Sequence, residues 1–252
     1  MGNVPTINRI QSHIRVPFHY SWIIIGILAT VQIFGSSISM AAGIMVPPLN
    51  DPEGDFRWGV GTIGLVLSSY YLFGAIYAPI TGWLGDRYGT RIMLIAAALM
   101  YLLSMSLLGQ VKEVWQFFIF FGMLLSLTQS LAMVPLMAAV GGWFRRRLGL
   151  GVGILWAAGG IGTAVMAPSI GYFIDKVGWQ PTFMGIGIIG FLSMIILLPL
   201  MRNKPADLGI LPYGASQDDP APIVLDKALE RMRQKVFVRH TRRTRPFWNL
   251  PV

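Results

Sequence analysis

The sequence predicts an all-α integral membrane protein of six transmembrane helices, arranged as a 3+3 inverted repeat. Charge density, the lengths of the apolar runs and one motif that returns are the grounds for this. Of the 252 residues, 54% are hydrophobic and only 12% are charged. A soluble domain carries about 25% charged residues, so this chain has too little polar surface to meet water all round. Lipid is then the solvent for most of it.

Crossing the hydrocarbon core takes about 20 helical residues at 1.5 Å rise each. Six runs qualify, at 20–47, 60–84, 91–109, 114–140, 148–174 and 181–201. The first is too long for the apolar region of a signal peptide, and no small-x-small cleavage site follows it, so it reads as a span that stays. Each gap is short and holds glycine, proline or charge, which makes successive spans antiparallel neighbours. The organisation is therefore an N-terminal segment at 1–19, a bundle at 20–201 and a basic segment at 202–252.

Arginine and lysine set the orientation. With the N-terminus inside, the short inner segments hold Arg9, Arg15, Arg87, Arg91, Arg145, Arg146 and Arg147, against Arg57, Lys112 and Lys176 outside. Positive charge favours the cytoplasmic side, so both termini are expected there, in a multi-pass protein of the plasma or inner membrane. The net charge of +9 sits in these short blocks rather than on one face, which argues against nucleic acid as a partner.

The returning motif is Ala-Pro-x-x-Gly-aromatic-x-x-Asp-basic-x-Gly. It begins at Ala78 and again at Ala167, 89 residues later and without gaps. One copy closes the second span and the other the fifth. Three spans lie between them, so the copies face opposite sides, which is how many secondary transporters are built.

Several chemistries are excluded. There is no cysteine, and the three histidines (His13, His19 and His240) lie outside the apolar runs. No metal centre or other cofactor is expected, and no paired carboxylates, His or Cys form a catalytic arrangement near one membrane face, so the chain is not read as an enzyme. After the bundle, 203–222 is polar and proline-containing and reads as a linker. Val224, Leu225, Ala228, Leu229, Met232 and Val236 then recur at helical spacing, opposite Lys227, Arg231 and Lys235. That pattern fits a basic amphipathic helix on the anionic leaflet and fits a solvated linker helix equally well.

The connection between the second and third spans runs Gly82-Trp83-Leu84-Gly85-Asp86-Arg87-Tyr88-Gly89-Thr90-Arg91. Glycine permits the positive dihedrals of a very tight turn. Asp86 falls at a helix C-terminus, where its charge opposes the helix dipole. It is expected to seek Arg87, Arg91 or another helix's N-terminus, a contact suited to a conformational latch.

This decapeptide resembles the signature loop of the major facilitator superfamily, Gly-x-x-x-Asp-Arg-x-Gly-Arg-Arg. Gly82, Asp86, Arg87, Gly89 and Arg91 match, while Thr90 stands where a basic residue is usual. Residues 143–153 and 178–183 are similar to the corresponding segments of the oxalate/formate antiporter and monocarboxylate transporter branches. The resemblance implies the N-terminal half of a twelve-helix transporter that moves small organic anions such as monocarboxylates by alternating access. It also implies that a second six-helix half completes the protein, from a separate chain or from a longer one that was truncated. Asp86 would face a helix of that half. A non-transporting, truncated or regulatory membrane protein that pairs with a full-length or complementary half remains the alternative.

Polar groups inside the spans mark the expected substrate pathway. Gln32 and Ser36 lie on the first span, with Gly35, Ser39 and Gly43 on the same face; Tyr70 and Tyr71 lie on the second, Gln129 on the fourth and Trp156 on the fifth. Helix packing explains the serines and glycines equally well, including Ser126 and Ser130. The glutamines point to a cavity, because a buried amide needs partners. No ionisable residue lies mid-span, so a proton relay is not legible. The fourth span also lacks the arginine that the resemblance associates with proton-coupled drug exporters. The counter-charge for an anion is then expected in the second half.

Overall fold

The computed structural model describes residues 19–215, apart from 52, 54 and 55 and the side chains of 37–42. The described residues form six long helices: α1 (Ser21–Asn50), α2 (Val60–Tyr88), α3 (Thr90–Leu108), α4 (Val114–Trp143), α5 (Leu148–Val177) and α6 (Trp179–Leu197). Five of them, α2 to α6, are long and apolar enough to cross a membrane; in α1 the apolar stretch is Ser21–Ser36. Among the described residues the other regular structure is two 3₁₀ turns, Leu198–Leu200 and Pro205–Leu208, and one isolated bridge between Phe144 and Tyr213. The expected helix beyond residue 215 and the side chain of Ser39 lie outside the described residues.

Each helix begins close to where the sequence places it, but α1, α2, α4 and α5 run three or four residues past the expected ends. In α2 and α5 hydropathy falls before helicity does, because the charged Asp86, Arg87, Asp175 and Lys176 leave the lipid without breaking the backbone ladder. The signature decapeptide is thus mostly helix, not loop. α2 carries Gly82 through Tyr88, and the turn itself is the single residue Gly89, at φ 82° and ψ 160°.

The second copy of the motif folds the same way. α5 ends at Gly178, with φ 87° and ψ 165°, and each turn glycine donates its N–H to the carbonyl four residues earlier, Gly85 or Ile174. Arg87 lies over the Trp83 ring at 5.5 Å, and Lys176 over the Tyr172 ring at 6.0 Å. A cation one helical turn after an aromatic ring is therefore preserved with the backbone. The helices that follow, α3 and α6, are both 19 residues long.

α1 packs chiefly on α5, α2 on α4, and α6 on α3, while α3 also packs along α4. Lipid is as apolar as leucine, so close approach and interhelical hydrogen bonds must hold these pairs. α4 supplies the hydrogen bonds. Its Ser126 donates to the Tyr70 carbonyl at 2.6 Å, Ser130 pairs with Thr81 at 2.8 Å, and Thr128 pairs with Ser104 of α3 at 3.0 Å. Near its start, α4 widens into a π-helical stretch at Phe118–Leu125.

Candidate functional site

The signature residues are held by α2, its turn and the first turn of α3. Gly82 and Gly85 face α4: a Cβ on either would lie 3.7 Å from Val134 or Pro135. That contact lets the end of α2 settle against α4 and fixes the direction in which Asp86 and Arg87 leave the helix. Both are exposed. The Arg87 guanidinium spreads over two rings, Trp83 at 5.5 Å and Tyr88 at 5.6 Å. Such contacts are worth about 0.5–1 kcal/mol when exposed, so they bias the side chain without locking it.

Gly89 is the N-cap of α3 and has no side chain to satisfy the helix's first N–H groups. Asn203, just beyond α6, does this from a distance. Its Oδ1 accepts the Arg91 N–H at 2.9 Å. The sequence reading missed this residue, although a local signal existed. Pro205 at the first position of a short turn, Asp207 bonding back to the Lys204 N–H at 3.1 Å, and left-handed Gly209 (φ 65°) mark folded chain rather than free linker.

The pathway residues separate into two sets. Gln32, Ser36 and Gln129 are brought together around α1. Gln32 is buried against Gly159 of α5, where an added Cβ would lie 3.1 Å from its Nε2. Ser36 abuts Gly162, one turn along, but its hydroxyl donates to the Ile33 carbonyl of its own helix at 2.7 Å. Gln129 reaches α1 from the other side at Gly35, and its Oε1 is buried with no hydrogen-bond partner among the described residues. Such an atom costs about 1–3 kcal/mol, which a passing donor could recover.

Tyr70 is buried, in ring contact with Phe121 at 5.5 Å and Tyr71 at 5.2 Å. Tyr71 and Trp156, by contrast, are 67% and 58% exposed, on the outside of the bundle. Ser126 and Ser130 are taken up by helix packing, as described above. A cleft of about 770 Å³ opens between α1 and α5 and is lined by Gly43, Pro47, Pro48, Asn50, Asp51 and Asp175; it takes in Gly43 of the expected pathway face but none of Gln32, Ser36, Tyr70, Tyr71, Gln129 and Trp156. Among the described residues no cluster of three or more His, Asp or Glu could hold a metal ion.

The sequence profile of the Major Facilitator Superfamily matches residues 16–251, nearly the whole chain. The chain belongs to this superfamily. Similar curated proteins include multidrug resistance protein MdtG of Dickeya zeae (strain Ech586), 31% identical over 146 residues, and of Enterobacter lignolyticus (strain SCF1), 32% identical over 154 residues. The Rahnella sp. (strain Y9602) protein of that name is 33% identical over 154 residues. Each alignment covers 56% of this chain and 34% of the relative, so the chain spans about a third of the length of the curated relatives it matches. Membership in the superfamily accounts for the all-helical bundle and for its place as a multi-pass membrane protein.

Proposed function

We propose that this superfamily member is the N-terminal six-helix half of a secondary active transporter that works by alternating access with a second six-helix half. In this reading the six helices are two units of three with opposite topology. The helix pairing supports it: exchanging α1, α2, α3 with α4, α5, α6 turns the α1–α5 pair into α4–α2 and leaves α3–α6 unchanged. The turns at Gly89 and Gly178, with the same dihedrals and the same aromatic–cation pair, support it further.

The signature turn with Asp86, Arg87 and Arg91 lies on the cytoplasmic side and acts as the latch. Gln32 of α1 and Gln129 of α4 supply the polar contacts of the pathway, and the exposed rings of Tyr71 and Trp156 face the second half. The substrate is a small organic anion such as a monocarboxylate, as the branch resemblance implies, with its counter-charge supplied by that half. A drug-like substrate is the second reading, favoured by the relatives' names and disfavoured by the absence of any ionisable residue within α4.

The chain has no native cysteine, so single cysteines at positions 87 and 176 can be labelled cleanly with an impermeant maleimide in oriented vesicles. Labelling from opposite compartments is expected; labelling from one compartment ends the inverted-repeat reading. Uptake of a radiolabelled monocarboxylate and of a fluorescent lipophilic cation, after co-reconstitution with a complementary half, decides between the substrates.

A further inference from the structure

The segment after α6 is polar, yet it is fastened to each of the three connections at its end of the bundle. At the α2–α3 turn, Asn203 caps Arg91 and covers Gly89, where a Cβ would lie 2.9 Å from the Asn203 Nδ2. At the approach to α1, the His19 Nε2 donates to the Leu211 carbonyl at 3.1 Å. At the α4–α5 turn, Tyr213 donates its N–H to the Trp143 carbonyl at 2.8 Å and accepts the Arg145 N–H at 3.1 Å. The Tyr213 ring also stands 5.5 Å from each of His19, Trp22 and Phe144. Between the two ends, the Pro205–Leu208 turn stiffens the chain through the Lys204–Asp207 bond. The turn at Gly178, on the other copy of the motif, has nothing within 4 Å of the place a Cβ would take. Among the described residues, then, the turn at Gly89 is covered and its counterpart at Gly178 is not.

We propose that residues 201–215 form a coupling strap, with Asn203 and Tyr213 as positioning residues, that makes the signature turn and the α4–α5 turn move as one unit. The Asn203 side chain fixes one end and backbone hydrogen bonds at Tyr213 fix the other, and a folded turn joins them. Loosening one end must then loosen the other, because coupling between two sites is reciprocal. The strap goes beyond the transport reading, and its test needs no substrate, so either can fail alone.

Amide hydrogen exchange on the full chain in lipid nanodiscs reads the coupling directly. Tyr213→Ala keeps the backbone bonds but removes the ring packed on His19, Trp22 and Phe144. It is expected to raise exchange about ten-fold at 143–147, the scale of one aromatic contact, and also at 86–92, which Tyr213 does not touch. Asn203→Ala is expected to do the converse, while Asn203→Asp, which keeps the acceptor, restores both. A rise confined to the altered end in both alanine variants overturns the strap. If Tyr213→Ala raises exchange along all the helices, Gly214→Ala replaces it: Gly214 has φ 82°, and its Cβ would press the Arg146 Cβ at 3.3 Å. That change displaces the strap and leaves the ring in place, and the same remote rise at 86–92 is expected. Its absence overturns the proposal.

Discussion

The α1–α5 and α2–α4 seams hold the bundle by different means. Along α1–α5 no hydroxyl crosses among the described residues. Gly159 and Gly162 strip α5 of side chain so that α1 lies almost on its backbone, and Ser36 turns its hydroxyl back to Ile33. Along α2–α4 hydroxyls do cross, from Ser126 to the Tyr70 backbone and between Ser130 and Thr81. Where there is no hydrophobic drive between helices, van der Waals approach and hydrogen bonding are the two ways left to hold them. The first tolerates no added atom. The second tolerates repacking and fails when one oxygen is removed. A helix sealed by approach alone can also slide without breaking bonds, which suits α1, the helix that carries Gln32 and meets Gln129 at Gly35.

The sharpest way to break the α1–α5 seam is Gly162→Val. Its Cβ would lie 2.8 Å from the Ile33 Cα and 2.8 Å from the Ser36 Oγ, and a backbone atom cannot swing aside. A loss of about 3 kcal/mol is expected, read as a fall in the thermal or denaturant midpoint in detergent. Gly160→Val is the control, since nothing lies within 4 Å of that site. Equal losses at 160 and 162 would show that helix propensity, not approach, governs this seam.

Ser126→Ala tests the other seam at a smaller scale. It removes the 2.6 Å bond to Tyr70 and is expected to cost about 1 kcal/mol. Ser36→Ala, at the glycine seam, removes only a bond within its own helix and is expected to change stability by a few tenths of that. If the two alanine variants unfold alike, the division between the seams is wrong.

The pattern of success in reading the sequence follows the same physics. The five apolar helices α2 to α6 were legible because lipid imposes length and apolarity on each run, whatever its neighbours. The Gly89 turn was legible because a residue at φ 82° between two helices is nearly always glycine. The serines were not, because one hydroxyl can line a path, cross a seam or bond its own turn, and only the neighbouring helix decides. Ser126 crosses and Ser36 does not, with nothing local to separate them. The strap was hidden for a related reason. Asn203 matters through an N–H more than a hundred positions away, whereas Pro205, Asp207 and Gly209 showed locally that the chain was folded there. The helical ends of α2 and α5 were set short because hydropathy, not hydrogen bonding, was the guide.

Gln129→Leu is expected to cost no stability and is the most informative change for function. The Oε1 of Gln129 is buried beside Gly35 with no partner among the described residues, so the native state bears its desolvation. An apolar side chain of similar volume removes that burden, and stability should hold or rise by up to about 1 kcal/mol. A residue retained only for packing would then be replaceable without loss. In the proposed transporter the same change should lower uptake by ten-fold or more, about 1.4 kcal/mol of lost interaction with the passing substrate. Uptake and midpoint measured on one preparation separate the cases: a stable variant with full uptake takes Gln129 out of the pathway and leaves α1 flanked by packing alone.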